Sequence, residues 1–274
     1  MHEGYPLADT RLAHRIEAAT VRDLRAYAVS ARTTGLFPQT ATLSVGGGVA
    51  VWFSEGNVVN GSFGLGMNGE VEHEEVAALI AFFEERGAPA RVDVCPHADA
   101  SLIRWLAESG FVAAGFEMVL HQPLPARTLP GTAAGIGVRI AASAAEKDVW
   151  AELEARGFKD EDVEDADMVL ARAIAARDDA LHFIGEAEGG PAGTGMLVMT
   201  EGVALLNGDS TLPRFRGRGV QTAVLAARIR HAGEAGCDLA VIEAAPGGVS
   251  MRNQERAGFR VAYTRVTLER PAAS

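Results

Sequence analysis

Residues 203–221 read Val-Ala-Leu-Leu-Asn-Gly-Asp-Ser-Thr-Leu-Pro-Arg-Phe-Arg-Gly-Arg-Gly-Val-Gln. An apolar run enters a turn set by Pro213, and a glycine-bearing loop then opens a helix whose apolar face includes Val220, Val224 and Ala227. The first N–H groups of a helix lack intrahelical partners, and the helix dipole favours negative charge beside them. Gly217 and Gly219 let an anion approach the main chain closely, and Arg214, Arg216 and Arg218 add charge that does not titrate away. Those residues in that order suit a pyrophosphate. Two common pyrophosphate devices do not fit. A dinucleotide fold sets its glycines after the first strand of a parallel β-α-β unit, whereas this loop follows an antiparallel meander. The Walker pattern needs Lys-Ser or Lys-Thr after the glycines, and neither is present.

Such a loop needs a sheet to carry it. Periodicity places helices over roughly 144–156 and 165–176, strands at 180–188, 193–200 and 203–207, and a helix over about 219–235 that Gly236 stops. Leu239–Ile242, a polar helix and a run from Gly258-Phe259 to Leu268 close the segment. The earlier part of the chain follows the same plan. It has a helix over 10–31, strands at 49–54 and 58–66, a helix over 71–85 and a strand at 92–94. An amphipathic stretch through Leu102, Trp105 and Leu106 then leads to Gly110-Phe111 and a run ending at Leu120. From Gly-Phe to the final Leu the two segments keep identical spacing, which points to a duplication. A meander followed by β-α-β-α-β gives a mixed sheet with helices on both faces. Between His121 and Gly137 the chain is rich in Pro, Gly and Ala without a period, as a linker is. The expected domains are 1–122 and 137–274, joined by 123–136.

The bulk composition agrees with two domains. A chain of 274 residues with 48% hydrophobic composition is long enough for two cores of about 130 residues each. A net charge of -11 opposes attraction to nucleic acid or an anionic membrane, so any anionic ligand must be held by local donors. No apolar run approaches the ~20 residues of a bilayer span, and Met1-His2-Glu3-Gly4 begins no apolar signal. A cytoplasmic protein without nucleic-acid or membrane partners is expected. Cys95 and Cys237 read as buried thiols, and the histidines show no metal-ligand spacing, so no metal is expected.

The stretch Pro213–Val220 resembles the acetyl-CoA pyrophosphate loop of the GNAT superfamily, whose pattern is Arg/Gln-x-x-Gly-x-Gly/Ala. Ser250–Phe259 is similar to that superfamily's closing helix and Gly-Phe turn. The likeness spans Gly137 to Leu268. In one register Arg216 and Gly219 fill the first pattern positions and Gln221 stands at the last, normally Gly or Ala. The alternative, Arg214, Gly217 and Gly219, satisfies the pattern but moves the glycines relative to Pro213. The resemblance implies an α/β fold of the α+β mixed-sheet kind, in two GNAT-like domains, each a mostly antiparallel sheet flanked by helices. It implies an N-acetyltransferase moving acetyl from acetyl-CoA to a small-molecule or peptidyl amine by direct attack, in a monomer or homodimer. Its cofactor residues would be Asp209, Ser210, Thr211, Leu212, Arg214, Arg216, Gly217, Arg218, Gly219, Val220, Gln221, Ser250 and Asn253. Asp209–Thr211 would border the pantetheine arm, and Glu243–Pro246 would lie on the strand that splays to admit the thioester.

The same resemblance leaves the chemistry less defined. The family's frequent acid, a Tyr four residues before the Gly of the Gly-Phe turn, is Gln254 here, and its frequent Asn four residues earlier is Ser250. Asn253 lies one turn along and reaches the same helix face. The leaving thiolate would take its proton from solvent, Ser250 or Tyr263, the alternative for Tyr263 being packing on an alternating strand. Asp209 or Glu243 would serve as base, against a turn cap and a satisfied strand-end carboxylate respectively. Gln254 also supports a second reading, a non-catalytic acyl-CoA-binding regulatory or scaffold protein. The acidic run Lys159–Asp167 would attract a cationic amine or simply form a solvated helix start. In the first half, the equivalent loop Gly64–Glu75 has glycines but no arginines, and glutamates crowd the helix start. That half reads as degenerate, without this coenzyme site.

Overall fold

The computed structural model describes residues 5–126, 129–159 and 163–271. Helix α1 (Thr10–Thr33) starts at Asp9, whose carboxylate accepts from Leu12 N–H at 2.9 Å and so satisfies one orphan donor of the first turn. Next come β1 (Ala41–Val45), β2 (Gly48–Trp52), β3 (Gly61–Phe63), α2 (His73–Glu84), β4 (Ala90–Val94), α3 (Ala100–Glu108) and β5 (Val112–Pro123). The later elements begin with β6 (Ile136–Ile140), α4 (Ala144–Lys159), α5 (Asp165–Ala175), β7 (Ala180–Ala187), β8 (Gly190–Thr200) and β9 (Val203–Thr211). A 3-10 turn at Pro213–Phe215 precedes α6 (Val220–Glu234), β10 (Leu239–Ala244), α7 (Val249–Arg256) and β11 (Arg260–Arg270). The order helix, three strands, helix, strand, helix, strand therefore occurs twice.

Beyond shifts of a few residues at element ends, the elements depart from the sequence reading in three places. Strands β1 and β6 were not expected, and β3 is shorter than 58–66. The cause of the third is asparagine chemistry. Asn57 Oδ1 accepts from Val59 N–H at 2.9 Å, while Asn60 accepts from Phe53 N–H at 2.8 Å and donates to Ser54 O at 2.7 Å. Those bonds hold 54–60 in turns rather than in the ladder.

Contacts divide the chain into two units. The amino unit comprises Pro6–Val119, Ala244–Gly247 and Val261–Ser274. Its strands lie in the order β1-β2-β3-β4-β11-β5. The pairs β1–β2, β2–β3 and β4–β11 are antiparallel and β3–β4 is parallel, Ser62 facing Val92 and Phe63 facing Asp93. Alternate residues of β4, Ala90, Val92 and Val94, pack with Leu79 and Phe83 of α2 and Leu102 and Leu106 of α3. The chain's final strand completes this unit, Val266 to Arg270 pairing with Val94 to Ala90. It also brings Arg265 and Tyr263 to Glu17, which is 1% exposed. Arg265 Nε and the Tyr263 hydroxyl both donate to Glu17 Oε1, at 2.8 and 2.7 Å.

The carboxy unit comprises Met1–Tyr5, Leu120–Glu243 and Gly248–Arg260. Its strand order is β10-β9-β8-β7-β6, antiparallel apart from the β9–β10 pair. Helix α6 lies close on β7 and β8 because Gly185, Gly193 and Gly195 leave room: a Cβ on any of them would stand 2.6–3.0 Å from Val220 or Val224. Both cysteines are buried and neither is in a disulfide. Among the described residues no helix is long and apolar enough to cross a membrane.

Candidate active site

The centre of the carboxy unit is an irregularity in β9. Thr194 pairs with Ser210, but Met196 pairs with Asn207, so Gly208 and Asp209 together oppose Gly195. This is a β-bulge, which interrupts the ladder and re-aims the side chains beside it. Gly208 adopts φ 63°, and a Cβ there would meet the Trp150 ring at 3.0 Å. Arg228 of α6 serves the carbonyls around the interruption, donating to Met196 O at 3.0 Å and Asn207 O at 3.1 Å. Its Nη2 also pairs with Asp209. The Arg228 side chain is fully buried and that of Asp209 is 15% exposed. Burial pushes the Asp209 carboxyl up from its ordinary value, and the Arg228 guanidinium opposes that shift.

Beyond the bulge the sheet opens. Parallel pairing of β9 with β10 runs from Val203 and Leu239 to Leu206 and Ile242, while β9 continues to Thr211. The chain then turns through Pro213–Phe215 and enters α6 with Gly219 as N-cap, at φ 89° and without a side-chain cap. The first intrahelical bond is Ala223 N–H to Gly219 O at 3.0 Å, so Val220, Gln221 and Thr222 present the N–H groups that precede it.

Two cavities of about 530 and 320 Å³ meet at this opening. Asp209, Gln221, Thr222, Asn253 and Arg256 line both, which makes them one cleft in the size range of small-molecule sites. The larger part is bordered by Ser210, Thr211, Arg216, Gly217, Gly219 and Val220. Arg216 is turned back to hold the loop, its Nε donating to Thr211 O at 3.2 Å and its Nη2 to Gly157 O at 2.9 Å. The Ser210 hydroxyl faces inward, bonded to Leu153 O at 3.1 Å and to the Thr194 hydroxyl at 2.8 Å.

Several residues singled out from sequence lie elsewhere. Arg218 pairs with Glu188, and Arg214 lies over the Phe215 ring at 4.8 Å. Neither lines the cleft, because both side chains leave the loop on its solvent side. Leu212 packs with the Phe215 and Val220 cluster. Ser250 accepts from Gln254 Nε2 at 3.0 Å. Glu243 is outside both linings, and Tyr263 belongs to the amino unit, where burial and then Glu17 raise its pKa and keep it a neutral phenol. The structure thus brings Asp209, the Gly217–Gln221 loop, Arg216 and Asn253 together. It adds Thr222 and Arg256, which sequence reasoning missed. Helical spacing was the available signal: Arg256 follows Asn253 by three residues, on the same face.

The matching helix start in the amino unit is occupied by its own side chains. Glu72 and Glu75 form a capping box at the start of α2, and Glu75 accepts from Gly46 N–H at 2.8 Å and Glu72 N–H at 3.0 Å. Carboxylates therefore fill the donors that α6 leaves free.

Of the acidic run, residues 160–162 lie outside the described residues. Asp167 and Glu164 form the capping box of α5, and Asp167 pairs with Lys159 at 3.2 Å, which is the arrangement of a helix start. Nearby Glu154 is pushed up to about 7, by burial first and by Asp167 second. A carboxyl raised in the folded state binds protons there that the unfolded chain has released, so stability falls as pH rises from the ordinary carboxylate range through about 7. Glu154→Gln will accordingly raise Tm by about 2–4 °C at pH 8 and leave it unchanged at pH 4; equal shifts at both pH values would contradict the burial argument.

Residues 146–259 match the model of the acetyltransferase (GNAT) family. Within this chain it is that stretch that is similar to the family. The GCN5-related N-acetyltransferase from Kribbella flavida aligns over 90% of this chain and 96% of its own, with TM-score 0.66 and 18% identity. A tandem GNAT protein from the clavulanic acid biosynthesis pathway aligns over 71% and 70%, with TM-score 0.54 and 16% identity. A functionally unknown conserved protein from Staphylococcus epidermidis aligns over 78% and 85%, with TM-score 0.55 and 11% identity. Identities this low establish the fold. Comparison with curated proteins returns no match.

Proposed function

We propose that this protein is an N-acetyltransferase that binds acetyl-CoA as co-substrate in the carboxy unit and passes the acetyl group to the amine of a small molecule or peptide. The observation that carries this reading is the uncapped start of α6 beside the point where β9 and β10 part. The N–H groups of Val220, Gln221 and Thr222, with Arg216 and Arg256 alongside, suit the pyrophosphate. The exposed edge of β9 from Asp209 to Thr211 suits the amides of pantetheine. The amino unit, self-capped at α2, holds no second coenzyme in this way, so one chain carries one site. The two repeats are the tandem halves of a duplicated domain, with 123–136 as the segment between them.

In the reaction the amine nitrogen attacks the thioester carbonyl, the C–S bond breaks and the sulfur leaves as thiolate. Asp209 is the carboxylate that faces the cleft, and burial moves it towards the range of a useful base. Its pairing with Arg228 limits that shift, so Asp209 acts best through a water that relays the amine's proton. Solvent returns a proton to the thiolate, because Gln254 has none to give. Gln254 favours one other reading, an acyl-CoA-binding protein without turnover. Thiol release from acetyl-CoA with a panel of amines separates the two: coenzyme binding without release above hydrolysis would favour the second. Arg216→Ala will raise the KM for acetyl-CoA about 10- to 100-fold, since it removes charge from the site and frees the loop from Gly157 and Thr211. An equal rise in the KM of the acceptor would sink the pyrophosphate assignment.

A further inference from the structure

The smaller part of the cleft has a wall that neither the sheet nor its helices supply. Pro130 and Gly131, from the segment joining the two repeats, line it with Gln221, Thr222 and Leu225 of α6 and Gln254 of α7. The same segment is anchored to α6 at both ends. Pro125 lies 3.6 Å from where a Cβ on Gly233 would stand, near the end of the helix, and Ala133 lies 3.1 Å from the equivalent point on Gly219, its N-cap. Leu124 N–H donates to Asp238 O at 2.8 Å, and Ile136 packs with Phe215 and Val220. Pro125 and Ala133 therefore lie beside opposite ends of α6.

A second observation points to a ligand in this cavity. Gln254 is 2% exposed. Its Nε2 donates to Ser250 Oγ at 3.0 Å and reaches Glu243 O at 3.5 Å. A carbonyl only accepts, so the amide nitrogen is on that side, and Gln254 Oε1 is left buried without a hydrogen-bond partner. Such an acceptor is costly to bury and is answered by an incoming donor.

We propose that the connecting segment is part of the coenzyme site: the pantetheine arm passes between α6 and α7, donates an amide N–H to Gln254 Oε1, and packs its methylenes against Pro130 and Gly131. This rests on the reading of the cleft as an acetyl-CoA site. It assigns Gln254 a binding role at a position where proton donation is closed to it. It also makes the connection a binding element, with Pro130 restricting the backbone before the ligand arrives.

Hydrogen exchange measured on the full chain with and without coenzyme A tests the wall directly. Coenzyme A will slow exchange in residues 131–135 by about tenfold or more. Gly131 has open space where a Cβ would stand, so Gly131→Trp will fold and will raise the Kd for coenzyme A about tenfold, by filling the cleft mouth. Gln254→Leu removes the orphan acceptor and will raise that Kd about 3- to 10-fold without loss of the folded state, as thermal melting will report. If coenzyme A binds and Arg216→Ala weakens it, yet exchange in 131–135 is unchanged, the wall is disproved while the cleft reading stands. If the unaltered protein does not bind coenzyme A, both fall.

Discussion

Arg228→Met will cost about 3–5 kcal/mol, the usual result of removing one partner from a buried ion pair, and will lower Tm by roughly 6–20 °C. Three acceptors lose a donor at once, the carbonyls of Met196 and Asn207 and the Asp209 carboxylate. The two carbonyls lie beside the bulge under the fully buried Arg228 side chain, where solvent does not readily replace the guanidinium. The change also makes an internal control possible. Arg228→Met with Asp209→Leu removes the unpaired charge but leaves the two carbonyls unserved, so the double variant will regain part of the loss and no more. Melting of the two single variants and the double variant gives the coupling between the side chains. A loss below about 1 kcal/mol for Arg228→Met would show that the bulge does not depend on this arginine. Coenzyme binding will fall with stability, since the same bulge shapes the cleft floor.

A chain ended after Gly258 will lose the amino unit although every residue from 6 to 119 is retained. Strand β4 would lose its antiparallel partner along Ala90–Val94. Glu17 would lose both Arg265 and Tyr263, leaving a carboxylate at 1% exposure with no cation beside it. Sedimentation and near-ultraviolet circular dichroism will show an aggregated or expanded amino unit, and a fragment covering 1–122 will behave in the same way. A fragment 1–122 that melts cooperatively would disprove the dependence on β11.

How much of this was legible in the sequence depended on range. The glycine-bearing turn into α6 was readable because its parts are contiguous: Pro213, the glycines and the apolar face of α6 fix the backbone locally. The repeated element order was readable for the same reason. Side-chain destinations were not. Arg214, Arg216 and Arg218 look alike in the sequence, yet one lies on Phe215, one grips Gly157 and Thr211, and one meets Glu188. Which way each turns is decided by partners up to tens of residues away. Asp209 was identified as a carboxylate at the opening, but its tie to Arg228 was hidden, because an arginine in a helix reads as a solvated side chain until the glycine gap at Gly195 is seen. Tyr263 sat on an alternating strand and packing was one of its two readings; its partner Glu17 lies at the other end of the chain. Strand β6 was obscured by the Gly- and Ala-rich composition before it, which has no period and reads as a linker.

The placement of β11 also sets a timetable. During synthesis Val94 leaves the ribosome roughly 170 residues before Val266, its partner in the register, a wait on the order of 10–30 s at ~5–20 residues per second. Throughout that interval one side of β4 is an unpaired edge and Glu17 has no counter-charge. The amino unit, made first, is therefore finished last, and until then β4 presents the kind of open edge at which chains aggregate.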